Sequence, residues 1–352
     1  MTHRAHRVSR LALLCLTGLF AVSTVQAQKT DKITVAWYGG NWGEAFNACV
    51  AQPFTKATGI AVVPDIGTST TTLAKLQQQK ASPTLDVAWL DGGISELAEQ
   101  AGVLETLDPA RLKNLGNLID RAVYRKDGQA YAVGSGFYSL GLTYNTKEVP
   151  AAPASWQDLW KPEYAGAVTV PSPANSSGVP FIFFLSQMLL TGPNDFSPVY
   201  KKLSALDAAL FFDSSGAASN AFQSGEAIIG AHFNVGAWDL IDKGMPIGFT
   251  VPKEGVWATD ARLHLVKNGP NREAAERFID TAMTPQAAEC LATRLYLGPA
   301  VQGVNLPPEV SKKLPWGEKG SVASLRFFDW NVINARRAEV TEAWNREVAH
   351  KR

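Results

Sequence analysis

The sequence is poor in the residues that carry most enzymatic and metal chemistry. Three cysteines and five histidines are spread over 352 residues, and Cys15, His3 and His6 fall within the first 27. There is no G-x-S-x-G, no H-E-x-x-H, no P-loop, and no cysteine–histidine pair in a familiar setting. A Ser–His–Asp set assembled from distant positions stays open, but no local motif announces an enzyme. Charge is scarce too. With 33 basic and 32 acidic residues, 18% of the chain, there is no electrostatic case for nucleic acid or an anionic membrane as partner. The apolar run Leu11–Val22 is too short and wrongly flanked to span a bilayer.

That run is instead the centre of an export signal. Arg4, Arg7 and Arg10 precede it and Val25-Gln26-Ala27 follows, so cleavage is expected after Ala27 and delivery to a bacterial periplasm. A lipoprotein reading at Cys15 is weak, because Leu14 stands where a small residue is needed. Loss of the segment takes the formal charge from +1 to −2 and leaves 325 residues. That exceeds what one core usually organises, and two domains are expected. Cys49 and Cys290 remain, each on an apolar helix face. An oxidising compartment permits one disulfide between them, and two buried thiols are the alternative. If bonded, the pair returns the later chain to the first domain.

Strand and helix patterns alternate, which gives an α/β fold with mainly parallel sheets. Ile33–Gly43 reads as a buried strand, a loop, and a helix whose start fits an Asn41–Glu44 capping box. Two further strand-to-helix junctions follow, at Thr68–Thr70 and Asp91–Gly93. Such junctions share one edge of an open sheet, where helix N-termini favour polar or anionic ligand atoms. Trp37, Tyr38, Gly40, Ser69, Asp91 and Gly92 are candidates on that ground, although Trp37 and Tyr38 also suit a plain core. Ala130–Asn145, with Phe137 inside it, is either a segment crossing between domains or one bent strand. Asn175, Ser176, Ser177 and Gly178 open a strongly apolar helix and suit a carboxylate, a phosphonate, a hydroxyl, or simple capping. His232 and Asn234 follow a strand as Tyr38 does. Trp257, Asp260 and Arg262 are expected in a loop between two strands.

The segments PFTKATGI (53–60), LDVAWLDGG (85–93), YAVGSGFYSLGLTYNTKEV (131–149), SWQDLWKPEYAGAVTVPSP (155–173), GEAIIGAHFN (225–234), VPKEGVWATDARLHLVKNGPNREAAERFID (251–280) and YLGPAV (296–301) stand in order along the chain. Together they resemble the periplasmic solute-binding proteins of ABC importers, in the group of spermidine/putrescine-, iron- and thiamine-binding receptors. The resemblance implies a type II periplasmic-binding-protein fold, two α/β lobes joined by hinge strands. It sets lobe 1 at 28–135 plus 263–300 and lobe 2 at 136–262 plus 301–352. It also implies a small-molecule ligand, a membrane permease with its ATPase as partner, no nucleic acid, a monomer, no cofactor, no metal site and no catalysis.

For the ligand, Trp37, Tyr38 and Trp257 match aromatics of polyamine receptors, and Asp260 lies near an acidic position. Asn175-Ser176-Ser177, Gly92-Gly93 and His232-Phe233 depart from that pattern, removing acids and rings. The expectation is therefore an amino acid, amino-carboxylate or other small organic acid. Arg262 with Ser176 and Ser177 would bind its acid, Asp260 its amine, and Trp37 and Trp257 its body. A structural salt bridge is the competing role for Arg262. Polyamine binding and an exported enzyme on the same scaffold are the alternatives. Ferric iron is disfavoured, since there is no Tyr-Tyr pair. A sensory rather than an import role is not separable at this level.

Overall fold

The computed structural model describes residues 1–2, 31–189 and 195–349, so the expected signal peptide and its cleavage site lie outside the described residues. No helix among them is long and apolar enough to cross a membrane.

The first half alternates as expected: β1 (Lys32–Trp37), α1 (Gly40–Phe46), α2 (Gln52–Thr58), β2 (Ala61–Ile66), α3 (Ser69–Gln78), β3 (Val87–Asp91) and α4 (Ile94–Gln100). Between α1 and α2 the helix continues through a π turn, Asn47–Ala51, and it ends at Gly59 in the left-handed region. The expected Asn41–Glu44 box is not made. The helix begins two residues earlier, at Gly40, and its N-cap, Gly39, brings no side chain. α3 carries a full capping box between Thr68 and Thr71.

After β4 (Val123–Lys126) comes β5 (Gln129–Asn145), a 17-residue strand. The second half holds β6 (Val168–Pro171), α5 (Gly178–Leu189), α6 (Ser197–Ser204), β7 (Ala208–Phe212), α7 (Ser215–Ser224), β8 (Ile229–Phe233), α8 (Asn234–Asp242) and β9 (Ile247–Thr250). Then β10 (Trp257–Leu265) leads to α9 (Arg272–Ala282), α10 (Pro285–Leu295), α11 (Pro308–Ser311) and α12 (Trp330–Glu347).

Strand order is β2-β1-β3-β10-β5-β8-β6-β7, with β4 and β9 added to β5. β1 pairs in parallel with β2 and β3, and β6 in parallel with β7 and β8. Two parallel groups are thus bridged by the antiparallel pair β5 and β10. The start of β5 pairs with β4, and its end, Leu140–Tyr144, pairs with β8. β10 runs back beside it and reaches β3 at Ala261–Leu265. Each crossing strand therefore belongs to both lobes. Ala130–Asn145 is a crossing segment and a strand at once.

The crossing is irregular where the lobes meet. Ala261 faces Gly136 but Arg262 faces Gly134, so Ser135 is an extra residue that bends β5. Its hydroxyl donates to the Ala261 carbonyl (2.9 Å) and accepts from the Trp89 indole (2.7 Å). Glycine is required beside it, because a Cβ on Gly136 would lie 2.8 Å from the Leu297 Cβ.

A disulfide joins Cys49, in the π turn after α1, to Cys290 on α10, 241 residues later. It ties the late helices to the first lobe, and closure of so long a loop removes much entropy from the unfolded chain. Replacing both cysteines by serine is expected to lower stability by about 2–5 kcal/mol in equilibrium urea unfolding.

Candidate functional site

A cleft of about 730 Å³ opens between the two parallel groups of strands. Its walls come from strand ends and helix starts on both sides. The first lobe supplies Tyr38 and Gly39 after β1, Gly40–Trp42 at the start of α1, Gly67–Ser69 and Thr71 around the start of α3, and Asp91 at the end of β3. The second supplies Asn175 and Ser176 before α5, Ser214–Gly216 at the start of α7, and Phe233, Gly236, Asp239 and Lys243 around α8. Tyr138 of β5 reaches in from the crossing.

Asp91 is the electrostatic centre of this cleft. Its carboxylate is 8% exposed and bonds hydroxyls instead of a cation. Tyr38 (2.8 Å) and Tyr138 donate to Oδ1, while Ser69 (2.9 Å) and Ser176 (2.6 Å) donate to Oδ2. The backbone N–H of Asp91 donates to Ser69 Oγ (2.9 Å), which fixes that serine. Burial pushes both phenols well above their usual pKa, and the charge of Asp91 raises them further, so they remain protonated donors. The other charges in the lining cancel: Lys243 pairs with Asp239 one helical turn away at 2.8 Å. Helix ends supply partial positive charge. Neither α1 nor α8 has a side-chain cap at its N-terminus, and both N-termini border the cleft, one from each lobe.

Aromatic rings form the apolar wall. Tyr38, Trp42 and Tyr138 line it, with Trp42 edge-on to both tyrosines at 5.5 and 5.1 Å between centroids. Phe233 stands edge-on to Tyr138 at 5.0 Å.

The structure therefore places Tyr38, Gly40, Ser69, Asp91, Asn175 and Ser176 in the cleft, and the other expected residues elsewhere. Trp37 and Phe137 precede cleft residues in their strands, so alternation turns them to the opposite face. Trp37 packs on Phe46 at 5.4 Å, and Phe137 on Phe327 at 5.8 Å. Gly92 lies behind the lining, its N–H on the Asp260 carbonyl (3.0 Å). Ser177 turns to its neighbour Asn175 (2.6 Å). Asn234 is fully buried and holds the Ser139 N–H and the Tyr296 carbonyl, a structural bridge between β5 and the segment after α10.

The largest correction concerns β10. Trp257, Asp260 and Arg262 lie in a central strand, not a loop, and each is at most 2% exposed. Arg262 bonds Asp260 (2.7 Å) and Glu96 (2.6 Å) and stacks on the Tyr124 ring at 3.5 Å. Tyr124 donates to Asp260, and Trp257 packs on Phe328 and Trp330. Arg262 is held by two carboxylates and Asp260 by Arg262 and Tyr124, and neither lines the cleft, so the geometry does not present Arg262 to an acid or Asp260 to an amine. The salt-bridge alternative for Arg262 is what the geometry holds.

Sequence reasoning missed Tyr138, Trp42, Ser214 and Ser215. The junction rule applied to the first lobe would have found the serines, since they follow β7 and open α7.

The family model for bacterial extracellular solute-binding proteins matches residues 50–315. The chain belongs to this family. It is the substrate-binding component of an ABC transporter. The spermidine/putrescine-binding periplasmic protein of Escherichia coli (strain K12) is 27% identical over 290 residues, covering 79% of this chain and 81% of that one. The gamma-aminobutyric acid-binding protein of Pseudomonas aeruginosa is 25% identical over 93% of this chain and 97% of its own. The solved structure of the Atu4243-GABA receptor superposes with a TM-score of 0.72 at 25% identity, over 90% of this receptor and 96% of that chain. These relatives are transport proteins that bind small molecules, and those from E. coli and its close kin are periplasmic.

His232 sits under the cleft wall, fully buried, with Nε2 bonded to Ser219 (2.9 Å) and Nδ1 without a partner. Burial pushes its imidazole down to about 4, and that of fully buried His264 to about 3. The unfolded chain takes up these protons near pH 6.5, whereas the folded receptor does not, so stability is present above 6.5 and lost as pH falls toward 4. Urea unfolding is expected to show a loss on the order of 3 kcal/mol for His232 between pH 7 and 4. His232→Asn flattens that part of the slope.

Proposed function

We propose that this receptor captures a small amino-carboxylate of the ω-amino acid type. Its ammonium pairs with Asp91, its carboxylate lies toward the uncapped N-termini of α1 and α8, and its methylene body rests on Tyr38, Trp42 and Tyr138. The observation that carries this reading is the charge inventory of the lining. Asp91 is an acid there without an ion partner, while Asp239 is already neutralised by Lys243. A diamine needs two carboxylates, and a desolvated ammonium without one loses its charge-assisted bonds. The relatives divide between the two chemistries, one binding spermidine and putrescine, another gamma-aminobutyric acid. The cleft favours the second.

The remaining readings rest on the family. The receptor performs no chemistry, as its binding-protein relatives suggest. It is exported with cleavage near Ala27, acts as a monomer, and hands its ligand to a permease with its ATPase. The lobes divide as 28–135 plus 263–300 and 136–262 plus 301–352, closing about β5 and β10.

The test is a thermal-melt panel on Gln28–Arg352, stripped of ligand by unfolding and refolding. 4-Aminobutanoate at a hundred times its Kd is expected to add about 2.7 kcal/mol of stability, a shift of several degrees. Asp91→Asn is expected to weaken it about 30- to 1,000-fold by calorimetry, the cost of removing one partner of a buried charge pair. Putrescine stabilising the receptor while every zwitterion fails would overturn the assignment.

A further inference from the structure

A carboxylate has about four acceptor positions, two on each oxygen. At Asp91 all four are taken by hydroxyls, of Tyr38 and Tyr138 on Oδ1 and of Ser69 and Ser176 on Oδ2. Tyr38 and Ser69 belong to the same lobe as Asp91, and Tyr138 to a crossing strand. Ser176 is carried by the opposite lobe well clear of the crossing strands, in the loop between β6 and α5. The same loop makes a second bond across the cleft, where Thr70 Oγ1 in the first turn of α3 donates to the Ala174 carbonyl (3.1 Å). Residues 174–176 thus fasten the lobes together at the position where the amine is to bind.

We propose that Ser176 is an internal stand-in for the ligand's ammonium: the empty receptor latches shut through Ser176 on Asp91, and a ligand binds by displacing that hydroxyl. This rests on the reading of Asp91 as the amine's partner. Opening the lobes carries Ser176 away, while Tyr38, Ser69 and Tyr138 keep the carboxylate aimed. One acceptor position then faces the cleft. An ammonium fills it with a bond in which donor and acceptor are both charged, stronger than the hydroxyl-to-carboxylate bond it replaces. A hydroxyl-bearing ligand merely exchanges one O–H donor for another and gains little. Ser176 therefore acts as a specificity-determining residue, rejecting neutral analogues by competition. It also lowers apparent affinity, since the self-closed fraction is unavailable to ligand.

The experiment compares wild type, Ser176→Ala, Thr70→Val and Asp91→Asn, each as the mature chain stripped of ligand. Two readouts are taken: radius of gyration without ligand by small-angle X-ray scattering, and Kd for 4-aminobutanoate and 4-hydroxybutanoate by calorimetry. Ser176→Ala is expected to expand the empty receptor, tighten 4-aminobutanoate about three- to tenfold, and narrow its preference over 4-hydroxybutanoate. Thr70→Val also expands the empty form but leaves that preference unchanged, because it does not touch Asp91. Weaker or unchanged binding of 4-aminobutanoate by Ser176→Ala, with Asp91→Asn strongly impaired, overturns the latch and leaves the amine assignment standing. Wild-type affinity in Asp91→Asn, or no binding of 4-aminobutanoate by wild type, overturns both.

Discussion

Burying the carboxylate of Asp91 without a cation is the constraint around which the cleft is organised. A charge taken out of water is costly unless its acceptor positions are filled, and neutral donors fill them less well than cations do. Four hydroxyls must therefore converge on one side chain, and each arrives from a different element: the end of β1, the start of α3, the middle of β5 and the loop before α5. That convergence fixes the relative placement of the elements around it. It also leaves the site incompletely compensated, since no positive charge answers the negative one. A ligand that brings an ammonium supplies the missing term.

The crossing strands make this arrangement reversible. β5 and β10 run through both lobes, and β5 is bent at Ser135, so the proposed closure would turn about these two paired strands. Around them the charges are locked. Buried Arg262 and Asp260 and half-buried Glu96 and Tyr124 form a linked set beside β3, and Gly92, next to Asp91, packs against it: a Cβ there would lie 2.8 Å from the Arg262 guanidinium. Gly93 adopts φ +88 with the Trp330 ring against it, and its carbonyl accepts from Asn334 of α12 at 2.7 Å. α12 also packs on the second lobe through Phe211 and Trp344, so one helix backs the Asp91 turn and the opposite lobe together. Rigid support behind the turn lets Asp91 keep its aim while Ser176 comes and goes.

The α/β class was legible in the chain because strands alternate with helices and glycine-rich turns mark where strands end, while the division into two lobes came from chain length and the family resemblance. The rule that ligands sit at strand-to-helix junctions located Tyr38, Gly40, Ser69, Asp91 and Ser176 in the cleft. It failed by one residue at Trp37, and Phe137, chosen inside the crossing segment, also faces away, since a buried strand is apolar on both faces and its register is not written in its composition. The β10 residues, taken from a loop reading and the family resemblance, missed wholly. WATDARLHL alternates polar with apolar, as a half-exposed segment does, and its charges look available for a ligand. Only long-range pairing, with Glu96 and Tyr124 more than a hundred residues away, shows that they are spent on one another.

Charge balance, more than shape, is what the proposed ligand class rests on. A helix N-terminus carries about half a positive charge, and the uncapped starts of α1 and α8 border the cleft beside the side-chain-capped starts of α3 and α7, so the helix field there is positive. Asp91 presents one negative unit, and Asp239 with Lys243 presents none. A zwitterion meets this field term by term, its ammonium against Asp91 and its carboxylate against the two helix ends. A diamine satisfies Asp91 with one end and then sets its second cation against two like-signed dipoles. A dicarboxylate reverses the fault, satisfying the helices and placing its other charge against Asp91. Of the three, only the amino-carboxylate leaves no buried charge facing its own sign.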